Sequence, residues 1–193
     1  FLHAHFDHVG IAPFMKRRHP DLKLYASARA WEVLRNPRAL DVMEMFTKKV
    51  ADRLGGEKRF GNWTGLDWRW SADLASSGVV MEDKQELDLG GLTLEILSTP
   101  GHSSCSISAY VPSLKALFPS DAAAIPYEEE FIIAAGSSME TFVRSLEKLG
   151  KKETRLVCAD HYGCIAGEPA ADFIEKSLKA TLDMQQLLAQ TMK

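Results

Sequence analysis

At 193 residues, 46% hydrophobic and 25% charged, the chain has the composition of a soluble globular protein and enough length for one domain spanning 1–193. A formal net charge of −3 gives no global basic field, so nucleic acid and anionic membrane are disfavoured as partners and a small-molecule substrate is favoured. No apolar run reaches the roughly 20 residues that a membrane helix needs and no stretch reads as a signal peptide; three cysteines are too few for a disulfide framework, so a cytoplasmic setting is expected.

The chain opens on Phe1-Leu2-His3-Ala4-His5-Phe6-Asp7-His8, which gathers three imidazoles and a carboxylate within reach of one cation. Imidazole nitrogen and carboxylate oxygen suit zinc, iron or manganese, and the lack of thiolate in the cluster points to catalysis over a structural zinc knot. In extended chain, His3 and His5 share a face while Ala4 points away. A turn into helix near His8 would send Asp7 and His8 along another line, where they can serve a second ion.

Residues 11–19 read as a helix burying Ile11, Phe14 and Met15, ended by Pro20. Its basic end, Lys16 to His19, suits the helix dipole, and His19 is not counted as a ligand. A short strand over 22–26 follows, then a helix capped by Ser27 that runs through Trp31 and Leu34. Residues 39–54 carry Leu40, Val42, Met43, Met45, Phe46, Val50 and Leu54 at helical spacing, a stripe that reads as core, as a substrate-covering cap within an insert of about 27–75, or as both. Residues 62–70 crowd three tryptophans together, as a pocket lining, a homodimer interface or internal packing would.

Strand patterning returns over 79–81, 86–89, 92–97 and 106–111, as one sheet with tight turns. Between the last two strands, Pro100-Gly101 forces a reversal that aims His102 out of the sheet edge. Residues 114–121 form a strand ending on Asp121, and 139–149 an amphipathic helix with Phe142, Val143, Leu146 and Leu149 inward. A buried strand over 154–158 leads to Asp160-His161-Tyr162, and a helix entered at Pro169 and running through Leu188 closes the chain over the sheet. Cys158, His161 and Cys164 also form a Cys-x2-His-x2-Cys series; a zinc site there is disfavoured because Cys158 is expected to point into the sheet.

The pattern His-x-His-x-Asp-His at His3, His5, Asp7 and His8 resembles the signature of the metallo-β-lactamase superfamily. Thr99-Pro100-Gly101-His102-Ser103 is similar to the family's second motif, and Asp121 and His161 stand in order where the next two ligands are expected. Five of the six histidines thus fall on motif positions. The resemblance implies an α/β fold, the αββα sandwich of that superfamily, lacking in this chain the strands that the family places ahead of the first motif. It implies two divalent metal ions, zinc foremost with iron or manganese as alternatives. Metal 1 would take His3, His5 and His102, metal 2 would take Asp7, His8 and His161, and Asp121 would bridge.

Two such cations, about 3.5–4 Å apart, share a water and hold it as hydroxide for attack on an acyl or phosphoryl centre. The implied function is hydrolysis of an ester, thioester, lactone or phosphoester, with Asp7 also orienting the hydroxide as the catalytic residue, Asp160 as a supporting acceptor and Tyr162 facing substrate. Asp121, where β-lactam-hydrolysing members commonly carry Cys, resembles the glyoxalase II type of site, and Ser120 stands where the family usually shows Gly. The rival readings are an iron-dependent redox or oxygen-using protein of the same fold and a non-catalytic regulatory member.

Overall fold

The computed structural model describes residues 1–60, 69–128, 130–161 and 163–191. The chain divides into two compact units, one of Phe1 with His3–Met81 and the other of Leu2 with Glu82–Lys193.

The first unit holds helices α1 (Phe6–Val9), α2 (Ala12–Arg18), α3 (Ala28–Arg35), α4 (Pro37–Arg53), α5 (Gly56–Phe60) and α6 (Ala72–Ser76), with strands β1 (Tyr25–Ser27) and β2 (Val79–Met81). Ser27 caps α3 as expected, its Oγ accepting from the Ala30 amide at 3.2 Å. Trp31 and Leu34, three residues apart, then share the buried face of α3. The Trp31 indole donates to the Val79 carbonyl at 3.0 Å and that of Trp70 to the Val9 carbonyl at 3.2 Å, which satisfies both buried N–H groups. Phe1, Trp31 and Trp70 meet edge to face, with centroids 5.8–6.2 Å apart.

Several expectations fail here. Ile11 precedes α2 as its cap residue and is 66% exposed, so Ala12 and Pro13 are buried in its place. The first strand starts at Tyr25, leaving Leu22 exposed, and it pairs in parallel with β2, so 79–81 lies outside the main sheet. No residue of α4 is buried: Val42, Met45, Phe46 and Val50 are all exposed, and the stripe is not core. Helical spacing reports that a face is apolar, not what covers it. Of the tryptophan-rich stretch, 61–68 lies outside the described residues.

The second unit holds β3 (Glu86–Asp88), β4 (Thr93–Ser98), β5 (Ile107–Val111), β6 (Ala116–Phe118), β7 (Ile125–Tyr127), β8 (Glu130–Ile132), β9 (Leu156–Cys158) and β10 (Cys164–Ala166), with helices α7 (Met139–Leu149), α8 (Glu168–Ala171) and α9 (Phe173–Thr191). Its six-stranded sheet has the order β10-β9-β6-β5-β4-β3, with β7 and β8 a separate hairpin. The steps β4 to β5 and β5 to β6 are antiparallel and β6 to β9 is parallel. It follows that β4, β6 and β9 run the same way and end at one edge of the sheet.

Leu97, Leu117 and Val157 from those three strands pack with Phe142, Leu146 and Leu149 of α7 and Phe173 and Ile174 of α9. Each such side chain contributes roughly 1.5–3 kcal/mol on burial, so the strand ends sit on a firm base. The C-terminal helix is two helices, α8 and α9, separated at Asp172. Only the first turns of α9 are buried, and Leu182, Leu187 and Leu188, expected over the sheet, are exposed. Among the described residues, no helix is long and apolar enough to cross a membrane.

Candidate metal centre

The expected ligands fall into two groups, one in each unit. In the first, His5 is extended (φ −79°, ψ 153°) and caps α1, so the chain passes from extended to helical between His5 and Asp7, close to where the sequence placed the turn. The ring of His3, fully buried, lies 4.6 Å from that of His5 and 4.0 Å from that of His8, centroid to centroid. Asp7 Oδ2 stands 3.5 Å from His8 Nε2. The imidazoles of His5 and His8 therefore gather around that of His3, with the Asp7 carboxylate at their edge.

In the second unit the common direction of β4, β6 and β9 delivers His102, Asp121 and His161 to one edge of the sheet, each in the loop after its strand. Asp121 is buried and presents its two oxygens separately: Oδ2 lies 3.3 Å from His102 Nε2, and Oδ1 lies 3.5 Å from His161 Nε2. His102 Nδ1 is 2.6 Å from the Ala134 carbonyl, which can only accept. Nδ1 is therefore the donor in that contact, which turns Nε2 toward Asp121 as the ring nitrogen placed to ligate.

The turn that holds His102 is fixed by its glycine. Gly101 has φ +139°, and a Cβ there would come within 2.4 Å of the Phe142 backbone, so close packing against α7 requires its absence. The Gly101 carbonyl accepts from the Ser137 and Ser138 amides at 2.9 and 3.2 Å, and the Pro100 carbonyl from Ser145 Oγ at 2.6 Å. A buried relay links this turn to the next: Thr99 Oγ1 meets Ser108 Oγ at 2.7 Å, and Ser108 Oγ donates to the Pro119 carbonyl at 3.0 Å.

Ser120 explains a departure noted in the sequence. Its φ is +52°, the left-handed region where glycine is at ease, and Asp121 follows in a single 3-10 turn. Its hydroxyl donates to Asp160 Oδ2 at 2.6 Å, tying the loop of Asp121 to the loop of His161. Asp160 thus accepts between loops as expected, while the roles of Ser120, Thr99, Ser108 and the Ala134 carbonyl had no signal in the sequence. Tyr162 lies outside the described residues. Cys158 does not point into the core as expected; strand alternation gives that direction to Val157, and Cys158 is half-buried.

The donor set fits divalent transition metals. It is nitrogen and oxygen throughout, and Asp121 sets one oxygen toward each of two imidazoles, as a carboxylate shared by two cations does.

This histidine-rich opening, with His102, Asp121 and His161 at strand ends of an α/β fold, is matched by the sequence model of the metallo-beta-lactamase superfamily over residues 3–161, and the chain belongs to that superfamily. Solved structures of similar fold include an archaeal metallo-beta-lactamase superfamily protein from Sulfolobus tokodaii, 21% identical with a TM-score of 0.71 over 94% of this chain and 66% of that one. A metallo-beta-lactamase family protein from Thermus thermophilus is 20% identical, with a TM-score of 0.60 over 96% of this chain and 59% of that one. TTHA1623, solved in a di-iron-bound form, is 20% identical, with a TM-score of 0.55 over 86% of this chain and 69% of that one. The chain therefore spans less than two thirds of the length of the first two.

Proposed function

We propose that the two ligand groups belong to one metallo-β-lactamase domain and form a single dinuclear centre that hydrolyses a small ester, thioester, lactone or phosphoester. The observation that carries this reading is Asp121, whose two oxygens address two different imidazoles, while the Nδ1 contact of His102 turns its Nε2 toward that carboxylate. His3, His5 and His102 would hold one metal, Asp7, His8 and His161 the other, and Asp121 both. Each of these side chains offers a nitrogen or oxygen ligand atom. Two bound divalent cations lower the pKa of a shared water and polarise the oxygen of the bond to be cleaved.

The chain's own residues supply the rest. Asp7, exposed beside His8, accepts a hydrogen bond from the attacking water and aims it. The relay from Thr99 through Ser108 to Pro119 and the bond from Ser120 to Asp160 hold the three loops in register, so the ligands need not reorganise as charge develops. Zinc is the metal this donor set favours; iron is the alternative, supported by the di-iron form of TTHA1623.

The test is elemental analysis of protein grown in metal-replete medium, beside turnover of a panel of small esters, thioesters, lactones and phosphodiesters. Close to two equivalents of metal with hydrolysis of one class is expected. Metal-free protein, or two metals with no hydrolysis and reversible redox activity in their place, would reject the proposal.

A further inference from the structure

Cys158 and Cys164 lie opposite each other on β9 and β10. The antiparallel register pairs Cys164 with Cys158, Ile165 with Val157 and Ala166 with Leu156. Val157 and Ile165 pack into the core, so by the alternation of strand side chains both cysteines project from the other face, side by side. Register partners in an antiparallel pair have Cα atoms about 4.5–5.5 Å apart, inside the window of about 4.4–6.8 Å that a disulfide spans. Both are free thiols, Cys164 exposed and Cys158 half-buried. Burial and the adjoining Cys164 sulfur, through a hydrogen bond and its charge, push the Cys158 thiol up to about 11, as expected for two sulfurs in contact. The third cysteine, Cys105, is buried beside Ser103 in another part of the sheet unit and serves as an internal control.

We propose that Cys158 and Cys164 are a dithiol modification site that closes into a disulfide across β9 and β10 on reaction with a low-molecular-weight disulfide. Exposed Cys164, as its thiolate, attacks one sulfur of the oxidant and expels one thiolate. Cys158 then gives its proton to solvent, and its sulfur displaces the second thiolate from Cys164. Two cysteine thiols lose two electrons and two protons, and the small disulfide gains both. Among the described residues β10 is the edge strand of the sheet and pairs with β9 alone, so the bond would pin a short ladder at the sheet's edge. It would also bracket the 159–163 loop that carries His161. Any consequence for metal content rests on the ligand role proposed for His161, whereas closure of the bond does not.

The experiment uses the purified full chain and oxidised glutathione as the probe, followed by acid quench, alkylation of remaining thiols and digestion with trypsin. Residues 156–176 form one tryptic fragment holding both cysteines. The expected product is this fragment lighter by two hydrogens and unalkylated, with Cys105 alkylated, and reversal by dithiothreitol. Amide exchange in β10 should slow on the order of tenfold in the oxidised chain, because a short disulfide loop removes local opening. In Cys158→Ala the glutathione adduct should persist on Cys164. An adduct persisting on wild-type Cys164 beside alkylated Cys158, a disulfide between chains, or no oxidation at all would overturn the proposal. The wild-type masses decide even if the variant fails to fold. Disulfide is read by mass and metal by elemental analysis, so this proposal and the dinuclear reading fail separately.

Discussion

The two groups of proposed ligands are brought together by opposite routes. His3, His5, Asp7 and His8 are close because they are close in sequence, and a change from extended chain to one helical turn is enough to set their directions. His102, Asp121 and His161 are close only because three strands of the sheet run the same way and end at one edge. The first group depends on local backbone geometry, the second on the core beneath it. A substitution in the sheet unit can therefore disturb residues of the second group that it never touches, whereas the opening segment is steadied by nearer contacts of its own unit, Phe1 against Trp31 and Trp70 and the Val9 carbonyl on the Trp70 indole.

The largest effect should come from the residue at the centre of the second group. Asp121→Ala removes both carboxylate oxygens, so two bound cations would repel with less negative charge between them. In the proposed centre, metal content is expected to fall from two equivalents toward one, and turnover to fall by about 100-fold or more, since activation of the water would need both ions. Metal analysis beside kinetics checks this; retention of two metals and normal turnover would remove the bridge. His102→Ala should cost metal and activity together, while His19→Ala, at the exposed end of α2, should cost neither.

Next in size is a change that leaves every ligand in place. Gly101→Ala would set a Cβ against the Phe142 backbone at a φ that side chains rarely adopt, and should destabilise the chain by about 3 kcal/mol. Gly90→Ala has φ +79° but nothing within 4 Å, and should cost only about 1 kcal/mol. Urea unfolding of the two variants separates the packing cost from the conformational one, and equal losses would show that the approach to α7 is not what fixes the His102 turn.

A smaller effect should appear at Ser120. Ser120→Ala keeps a side chain in the left-handed region and loses the bond to Asp160, so metal affinity should drop by about tenfold with little change in stability. Ser120→Gly relieves the backbone but loses the same bond. If Ser120→Gly binds metal as wild type does, the hydroxyl does not hold the two loops together.

What was legible in the sequence follows the same division. The clustering of the opening histidines, the Ser27 cap, the 139–149 helix and the strand ends bearing His102, Asp121 and His161 rest on short patterns with a direct physical cause, and the family resemblance proposed the long-range partners. The outward face of α4, the exposed end of α9 and the separate pairing of β1 with β2 were not legible, because periodicity marks an apolar face without naming its partner. Nor was the contact between His102 and the Ala134 carbonyl, since a backbone acceptor leaves no trace in residue identity. Cys158 was misread because a buried strand was expected to bury each side chain, whereas the alternation gives the core to Val157.

The smallest predicted effect tests whether the sheet unit can be altered without its ligands noticing. Asp83, in the loop between β2 and β3, is paired with Lys148 of α7 at 2.5 Å and accepts from the Ser98 amide at 2.6 Å. Partial burial raises its pKa, but the Lys148 hydrogen bond, the Ser98 amide and the charges of Lys148 and Lys84 outweigh it, and the carboxyl sits below its ordinary value. A carboxyl depressed on folding adds stability above its unfolded pKa, and that contribution is lost as pH falls through the folded value. Asp83→Asn should therefore flatten the acid limb of stability below the ordinary carboxylate range. Because the pair is partly exposed, the loss near neutral pH should stay under about 1 kcal/mol. Metal content should not change, because Ser98 at the start of the His102 loop stays held by its ladder pairing with Ile107 and the Gly101 carbonyl keeps its bonds from Ser137 and Ser138. Denaturant unfolding across pH, with metal analysis at neutral pH, checks both halves. A loss of metal in Asp83→Asn would mean that the Asp83–Lys148 pair is needed to hold the end of β4 and with it the His102 loop.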